Sequence, residues 1–256
     1  MFVLWCVIKI KKVIDLIQGD CLEVMKGIES GSVDAIITDP PYGTTACKWD
    51  SVIDFTLMWE QLNRIIKPNG AIVLFGSEPF SSALRMSNLK RFKYDWIFHK
   101  TLPVGHGYAK YRPMSNHEII SVFAKGKVTY NPQFTPREKP RTYTRKNASK
   151  SGSSSMISHD GETRVLKGKH PTTIQKFNTS VQKGKQHPTQ KPILLMEYLI
   201  KTYTNENETV LDFTMGSGST MVACQNLKRN GIGIEMDENY FKIASERINN
   251  NKYKLF

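Results

Sequence analysis

Short apolar runs recur along the chain and predict the strands of a central sheet. Val13–Ile17, Val33–Thr38 and Ala71–Phe75 lie in the first part of the chain, and Val210–Asp212 and Gly231–Glu235 lie near its end. Val33–Thr38 is nearly all apolar, which is typical of a parallel strand whose sheet is covered on both faces. The pattern therefore predicts an α/β fold with a doubly wound, mostly parallel sheet.

Helical spacing fills the intervals between these strands. The stretch from Phe55 to Ile66 carries apolar residues three and four positions apart, and Lys67-Pro68-Asn69-Gly70 predicts its end. Tyr94–His99 and Ile119–Phe123 are predicted to pair as the last, antiparallel strands. Further helices are predicted over Leu22–Ile28 and Met221–Leu227, and after Pro192 and Asp237.

The periodic pattern is lost over residues 125–186, where Pro, Ser, Thr, Lys and Arg dominate. We interpret this segment as an insertion that is part loop and partly disordered without its partner. It divides the chain into residues 1–124, 125–186 and 187–256. Four aromatic residues in it either stack on bases or form a small local core: Tyr130, Phe134, Tyr143 and Phe177.

Most of the positive charge of the chain lies in and around this insertion. Residues 125–191 hold 15 Lys and Arg but three acids, which accounts for +12 of the formal net charge of +13. Such a basic lobe predicts a polyanionic partner, DNA in particular, with a merely solvated basic surface as the alternative. The candidate DNA-binding residues are Lys139, Arg141, Arg145 and Lys146.

Asp39-Pro40-Pro41-Tyr42, directly after the run Val33–Thr38, is the most informative motif of the chain. The carboxylate of Asp39 and the carbonyl of Pro40 can each accept one hydrogen of an exocyclic amino group. The prolines keep this backbone stiff, and the Tyr42 ring can stack on the same base. The motif predicts a slot for a base amine, whereas a proline-rich turn after a buried strand is the simpler alternative.

A glycine-rich turn, Met215-Gly216-Ser217-Gly218-Ser219-Thr220, follows the strand Val210–Asp212. Glycines let the backbone approach a ligand closely, and the next helix presents free N–H groups at its start. Glu235 lies 23 positions after Asp212 at the end of the next strand, an offset at which an acid reaches ribose hydroxyls. Met221 stands where the dinucleotide-binding motif has its third glycine. Because the same chain also carries Asp-Pro-Pro-Tyr, a nucleoside-bearing methyl donor fits this turn better than a nicotinamide cofactor.

In this order the two motifs resemble the amino-methyltransferases of DNA, specifically the permuted β class, in which the catalytic motif precedes the cofactor motif. The resemblance implies a seven-stranded Rossmann-like methyltransferase sheet with an inserted basic target-recognition region. Residues 1–124 then form the catalytic part and residues 187–256 the cofactor-binding part. Further matching segments are Gln18-Gly19-Asp20-Cys21, Gly76-Ser77-Glu78-Pro79-Phe80, Asn116-His117-Glu118 and His187-Pro188-Thr189-Gln190-Lys191-Pro192.

The resemblance also implies a cofactor, a partner and a set of site residues. The cofactor is expected to be S-adenosylmethionine, and the partner double-stranded DNA with a flipped target base. The implied catalytic residues are Asp39, Pro40, Pro41 and Tyr42. The implied cofactor-binding residues are Asp20, Cys21, Asp39, Thr189, Lys191, Asp212, Phe213, Gly216, Gly218, Ser219, Thr220 and Glu235.

The identity of the target base stays open between alternatives. Within this family, Asp at the first position of the catalytic motif favours the 6-amino group of adenine, but the 4-amino group of cytosine fits the same slot. An RNA base and a catalytically silent DNA-binding protein are more distant alternatives. Asp212-Phe213-Thr214-Met215 replaces the Asp-Pro-Phe of many relatives, which leaves the path of this loop open.

The remaining features concern location and partners. The four cysteines show no metal-ligand or disulfide spacing, so we expect no metal site and a reducing, cytoplasmic setting. The apolar start Met1–Ile8 is too short to span a bilayer and lacks the charge order of a signal peptide. We therefore expect an extra strand or a poorly packed extension, and no membrane partner. The resemblance leaves room for a homodimer and for a cognate restriction endonuclease.

Overall fold

The computed structural model describes residues 13–44, 50–144, 163–178 and 190–252. These form two compact units, of which the smaller is Pro132–Thr172 and the larger contains the chain on either side of it. The N-terminal extension and the Ser-Gly-rich part of the insertion lie outside the described residues. The predicted division at residues 125 and 187 stays a prediction.

Ten strands occur in the described part of the chain. In chain order they are β1 (Ile14–Gln18), β2 (Val33–Thr38), β3 (Ile66–Gly76), β4 (Phe92–Val104), β5 (Ser115–Phe123), β6 (Thr135–Thr144), β7 (Thr163–Lys169), β8 (Ile174–Phe177), β9 (Thr209–Asp212) and β10 (Asn230–Glu235).

Eight of these strands form the sheet of the larger unit, in the order β1-β10-β9-β2-β3-β5-β4-β8. The first five run parallel, and β5 is antiparallel to both β3 and β4. This confirms the doubly wound, mostly parallel sheet and the predicted antiparallel pair. Because β1, β2, β9 and β10 are parallel, their carboxyl ends all lie along the same side of the sheet.

The sheet has one strand more than the seven expected. The additional strand, β8, pairs in parallel with β4 at the edge of the sheet, with Ile97 opposite Ile174. The ring of Phe177 packs near Phe98 and Tyr198, at centroid distances of 6.4 and 5.8 Å. Phe177 therefore belongs to the main core, although its segment was assigned to the insertion.

Six helices cover the two faces of this sheet. They are α1 (Cys21–Lys26), α2 (Phe55–Ile65), α3 (Phe80–Ser87), α4 (Ile193–Tyr203), α5 (Ser219–Asn226) and α6 (Glu238–Lys252). The first three pack on one face, around Met25 and Leu62, and the last three on the other, around Leu199 and Met221. Asp237 caps α6 as predicted, because its Oδ1 accepts from the amides of Asn239 and Tyr240 at 2.9 and 3.0 Å. None of these described helices combines the length and the apolar character that a membrane span needs.

The smaller unit is built on an antiparallel pair of strands rather than on loops alone. Strand β6 pairs with β7 from Thr135 opposite Lys169 to Thr144 opposite Thr163. The ring of Phe134 packs on that of His170 at 4.7 Å, so this aromatic residue has a local packing role. The expectation of an irregular insertion was therefore wrong for these strands.

Candidate active site at the carboxyl ends of the strands

A cavity of about 870 Å³ opens where β1, β2, β9 and β10 end. Parallel strands of an open α/β sheet present their carboxyl ends at the same edge, which is where such folds bind ligands. Segments that lie far apart in the sequence therefore meet here. The cavity is lined by thirteen predicted site residues: Asp20, Cys21, Asp39, Pro40, Pro41, Tyr42, Lys191, Asp212, Phe213, Gly216, Ser219, Thr220 and Glu235.

Six predicted residues do not appear in this lining. Gly218 adopts a left-handed backbone conformation, with φ of +77°, and is the N-cap residue of α5. Thr189, Arg145 and Lys146 lie outside the described residues. The other two candidate DNA contacts, Lys139 and Arg141, are exposed on β6 in the smaller unit.

Asp39, directly after β2, is held through all three of its oxygen atoms. The ammonium of Lys191 forms an ion pair with Oδ2, and the hydroxyl of Tyr42 donates to Oδ1. The hydroxyl of Thr214 donates to the Asp39 carbonyl at 3.1 Å, which ties the end of β2 to the turn after β9. Burial raises the pKa of the Asp39 carboxyl, and the charge of Lys191 acts against that rise.

Lys191 belongs to a row of alternating charges along one wall of the cavity. Its Nζ lies 3.3 Å from Oε2 of Glu118, and Oε1 of Glu118 lies 2.6 Å from Nζ of Lys100. Burial lowers the pKa of Lys191, but Asp39 and Glu118 outweigh it and raise the pKa to about 12. Burial raises the pKa of Glu118, but the charges of Lys191 and Lys100 outweigh this effect and lower the pKa below its ordinary value. Lys191 therefore carries its positive charge at neutral pH.

The loop after the Asp-Pro-Pro-Tyr motif is fixed by a buried carboxylate. Asp50 accepts hydrogen bonds from the amides of Tyr42, Gly43 and Thr44, at 2.7, 2.9 and 2.9 Å. One face of the Tyr42 ring stacks on Phe80, with centroids 5.1 Å apart and planes 30° apart. The stiffness attributed to the two prolines thus depends on Asp50 and Phe80 as well.

Asp212 is built into the glycine turn. Its Oδ2 accepts from the hydroxyl of Thr220 at 2.6 Å, and its Oδ1 accepts from the amide of Thr214 at 3.3 Å. Burial raises the pKa of this carboxyl to about 7. Phe213 is only 1% exposed, and its amide donates to Thr38 at 3.1 Å, so the residue that replaces Pro in many relatives is mainly a core residue.

Glu235, the last residue of β10, also lines the cavity. Its two carboxylate oxygens accept from the amides of Gly216 and Asp237, at 2.9 and 2.8 Å. The φ of +52° at Gly216 is favourable mainly for glycine, and this turn allows its amide to reach Glu235. Burial raises the pKa of Glu235. Each oxygen retains acceptor capacity, so the carboxylate suits a ligand with hydroxyl donors.

Asp20 and Cys21 border Glu235 from the end of β1. Oδ1 of Asp20 caps α1 by accepting from Leu22 at 2.8 Å, and the amide of Gly19 donates to the Glu235 carbonyl at 2.9 Å. Burial raises the pKa of the Cys21 thiol to about 12, which favours its neutral form at neutral pH. Among the residues that the structure describes, no cluster of His, Cys, Asp and Glu suits a metal ion.

Sequence reasoning brought the two motifs together but missed several of their partners. Lys100 and Asp50 carried no signal, and Glu118 was noted only as part of a matching segment. Glu118 contacts Lys191, which is distant in the sequence, and Asp50 contacts the amides of a nearby loop; apolar spacing encodes neither kind of contact. Lys191 was assigned to cofactor binding, whereas its described contacts are with carboxylates.

Comparison with known proteins agrees with this arrangement. The profile of the N6_N4_Mtase family, described as DNA methylase, matches residues 33–246. The type II methyltransferase M.HpaI of Haemophilus parainfluenzae is 29% identical over 249 residues, which cover 91% of this chain and 73% of that protein. The crystal structure of the M1.HpyAVI–SAM complex is 27% identical, with a TM-score of 0.61, and the match covers 91% of this chain and 99% of that one.

A third structure shares the fold at lower identity. The cytosine-N4-specific PvuII DNA methyltransferase is 15% identical, with a TM-score of 0.65, and the match covers 96% of each chain. The family profile spans far more than half of the present chain. This chain therefore belongs to the N6_N4_Mtase family of DNA methylases.

Proposed function

We propose that this chain transfers the methyl group of S-adenosylmethionine to the 6-amino group of an adenine flipped out of double-stranded DNA. The observation that supports this best is the shared cavity, which is lined by Asp39 and Tyr42 and also by the glycine turn and Glu235. The bond between Thr214 and the Asp39 carbonyl holds the two halves of this cavity together. A base and a nucleoside cofactor can therefore bind side by side.

The cofactor half suits S-adenosylmethionine, and the similar protein M1.HpyAVI was solved as a complex with SAM. Glu235 has acceptor capacity for the ribose hydroxyls, and Asp20 lies beside it to contact the adenosine. Gly216 lets the backbone approach the ligand without a side chain in the way. When bound, the cofactor supplies a methyl group on a positively charged sulfur.

The Asp39 half suits the amino group. An ionised carboxylate has about four lone-pair sites, so Asp39 can accept from the amine in addition to Lys191 and Tyr42. With the Pro40 carbonyl as the second acceptor, the amino nitrogen can pyramidalise and direct its lone pair at the methyl carbon. The positive charge that develops on nitrogen lies beside acceptors already in place, and nitrogen then releases a proton to Asp39 or to water.

A base within the helix cannot reach this cavity, so the target nucleotide has to leave the stack at a cost of a few kcal/mol. Stacking on the Tyr42 ring, worth about 1–3 kcal/mol per base, offsets part of this cost. Lys139 and Arg141 on β6 are suited to phosphate contacts, and the same role for Arg145 and Lys146 stays a prediction. A homodimer and a restriction endonuclease partner also stay predictions.

Methylation of the 4-amino group of cytosine is the second candidate. It is favoured by the fold shared with the cytosine-N4-specific PvuII enzyme, and both amines offer the same two hydrogens to Asp39 and Pro40. The argument for adenine is the Asp at the first position of the motif.

Analysis of the methylated nucleosides tests the proposal. The purified chain is incubated with unmethylated genomic DNA and S-adenosylmethionine that carries a deuterated methyl group, and the digest is analysed by mass spectrometry. Labelled N6-methyldeoxyadenosine is expected. Labelled N4-methyldeoxycytidine supports the second candidate, and label in an RNA control but not in DNA contradicts both.

A further inference from the structure

The hairpin formed by β4 and β5 ends in a loop, residues 105–114, that exposes large side chains. Tyr111 is 86% exposed and Tyr108 is 60% exposed, and Met114 is partly exposed beside them. A monomeric protein gains nothing in stability from a large aromatic side chain that stays almost wholly in water. Such a group of exposed aromatic residues indicates a surface that binds a partner.

The charge of the loop and of the strand ends beside it is of one sign. No Asp or Glu occurs from Trp96 to His117, whereas the loop contains Lys110 and Arg112. The guanidinium of Arg112 lies over the Tyr108 ring, 4.8 Å from its centroid. Basic residues interleaved with aromatic ones fit a nucleic acid, which offers phosphates and base faces together.

The loop is held in shape by its own backbone. The amides of Tyr111 and Arg112 both donate to the carbonyl of Tyr108, at 2.9 and 3.0 Å, and the amide of Tyr108 donates to that of Gly105 at 3.0 Å. A turn fixed in this way loses little conformational entropy when a partner binds. Exposure of Tyr111 is therefore a property of an ordered turn.

The position of the hairpin relates it to the candidate active site. Leu102, Pro103 and Val104, the last residues of β4, line the same cavity as Asp39. The loop follows directly after them, so it lies next to this part of the cavity lining. A duplex that delivers a base to Asp39 has to pass close to this loop.

We propose that residues 105–114 are a second DNA-contacting surface, in which Lys110 and Arg112 bind backbone phosphates and Tyr111 stacks on bases beside the flipped nucleotide. This rests on the proposed function, since it takes the duplex to lie over the cavity. The surface is distinct from β6, where Lys139 and Arg141 lie. An aromatic side chain next to the vacated position replaces part of the stacking lost on flipping.

The phosphate contacts are tested by the salt dependence of binding. The affinity of a duplex oligonucleotide is measured by fluorescence anisotropy between low and moderate salt, for the wild type and for the Lys110→Ala/Arg112→Ala variant. Log K decreases as log salt increases, and for Lys110→Ala/Arg112→Ala this negative slope is expected to become shallower by about 2, since each phosphate contact contributes about 0.9. Lys90→Ala/Lys93→Ala, at the opposite end of β4, removes the same charge from exposed positions and is expected to leave the slope unchanged. If Lys110→Ala/Arg112→Ala and Lys90→Ala/Lys93→Ala have the same salt slope, the proposed phosphate contacts are contradicted.

The stacking contact is tested by the rate of DNA methylation. Tyr111→Ala is expected to lower kcat/KM for DNA about tenfold or more, since loss of one aromatic stack has this effect, while Tyr111→Phe retains the activity. Met86→Ala, at a residue 70% exposed, is the matched control, and cofactor affinity is expected to be the same in all variants. Normal activity of Tyr111→Ala would overturn the stacking role. Failure of the wild type to methylate DNA contradicts the proposed function, whereas the salt slopes test the loop independently of turnover.

Discussion

Lys191, two residues before α4, forms an ion pair with Asp39 at the end of β2, across a separation of 152 positions in the sequence. The pair joins the Asp-Pro-Pro-Tyr motif to the segment that precedes α4, β9 and the glycine turn. Burial and the charge of Glu118 raise the pKa of Asp39, whereas the ammonium of Lys191 favours the ionised form, which the proposed role of Asp39 requires. Glu118 in turn gives Lys191 a second carboxylate at 3.3 Å.

Asp39→Asn is expected to lower kcat at least about a hundredfold, because a charged acceptor next to the developing positive charge is lost. Lys191 keeps Glu118 as a partner, so the fold and the binding of S-adenosylmethionine are expected to persist. Single-turnover methylation and calorimetric titration measure the two effects. Asp95→Asn, which alters a carboxylate paired with Arg85 outside the cavity, serves as the control. Normal turnover by Asp39→Asn would remove this residue from the mechanism.

Glu118→Gln is expected to extend activity to lower pH. The pKa of Asp39 is raised, first by burial and also by the charge of Glu118, so activity is lost as pH falls through that pKa. Removing the charge of Glu118 makes Asp39 easier to ionise, and the acid limb of kcat against pH moves down.

Two further variants separate this effect from a loss of structure. Glu78→Gln, at a carboxylate that pairs with Arg85 and does not line the cavity, is expected to leave the acid limb in place. Lys100→Gln/Glu118→Gln removes one positive and one negative charge, so the net charge of the site is that of the wild type. Its acid limb is expected to stay at the lower pH seen for Glu118→Gln. An acid limb that stays at the wild-type pH in both Glu118 variants contradicts the coupling.

Tyr42→Ala is expected to weaken binding of the flipped base by about 1–3 kcal/mol, the usual value of one aromatic stack. Fluorescence of 2-aminopurine at the target position reports the flipped state, and the signal is expected to decrease. Tyr42→Phe keeps the ring on Phe80 but lacks the hydroxyl that donates to Asp39, so flipping is expected to persist while kcat falls. Equal fluorescence in Tyr42→Ala and the wild type would argue against stacking.

Asp212→Asn is expected to stabilise the fold in a way that depends on pH. The pKa of Asp212 is about 7 in the fold, because it is buried, against 3.8 for an exposed carboxyl. Between these values the folded chain holds a proton that the unfolded chain has lost, so stability falls as pH rises. The gain in Tm from Asp212→Asn is thus expected to be absent near pH 4, to grow up to pH 7 and then to level off. A gain that is the same at every pH would show that this titration does not contribute.

The parts of the molecule that the sequence predicted are those set by local patterns. The apolar run Val33–Thr38 and the motif after it predicted a strand end with a rigid slot, and the structure has β2 followed by Asp39 in the cavity. The acid 23 positions after Asp212 predicted a carboxylate near the glycine turn, and Glu235 accepts from the amide of Gly216. Both follow from the parallel strands that end at one edge.

The parts that the sequence did not predict depend on contacts between distant segments. Strand β8 has only four residues, with Ile174 exposed, and its place in the sheet depends on the edge that β4 offers. The row formed by Asp39, Lys191 and Glu118 is likewise assembled by the fold. A single charged residue within a motif does not indicate which distant carboxylate it will meet.

The most direct test of the shared cavity is the methylation of a genome by the chain in a host that lacks its own DNA methylation. The wild type and the Asp39→Asn variant are expressed at equal levels, and the DNA is sequenced by a single-molecule method that detects modified bases. N6-methyladenine in one sequence context in the wild type, and none in the variant, is the predicted result. Genomes without methylation in either strain, or with equal methylation in both, would contradict the account.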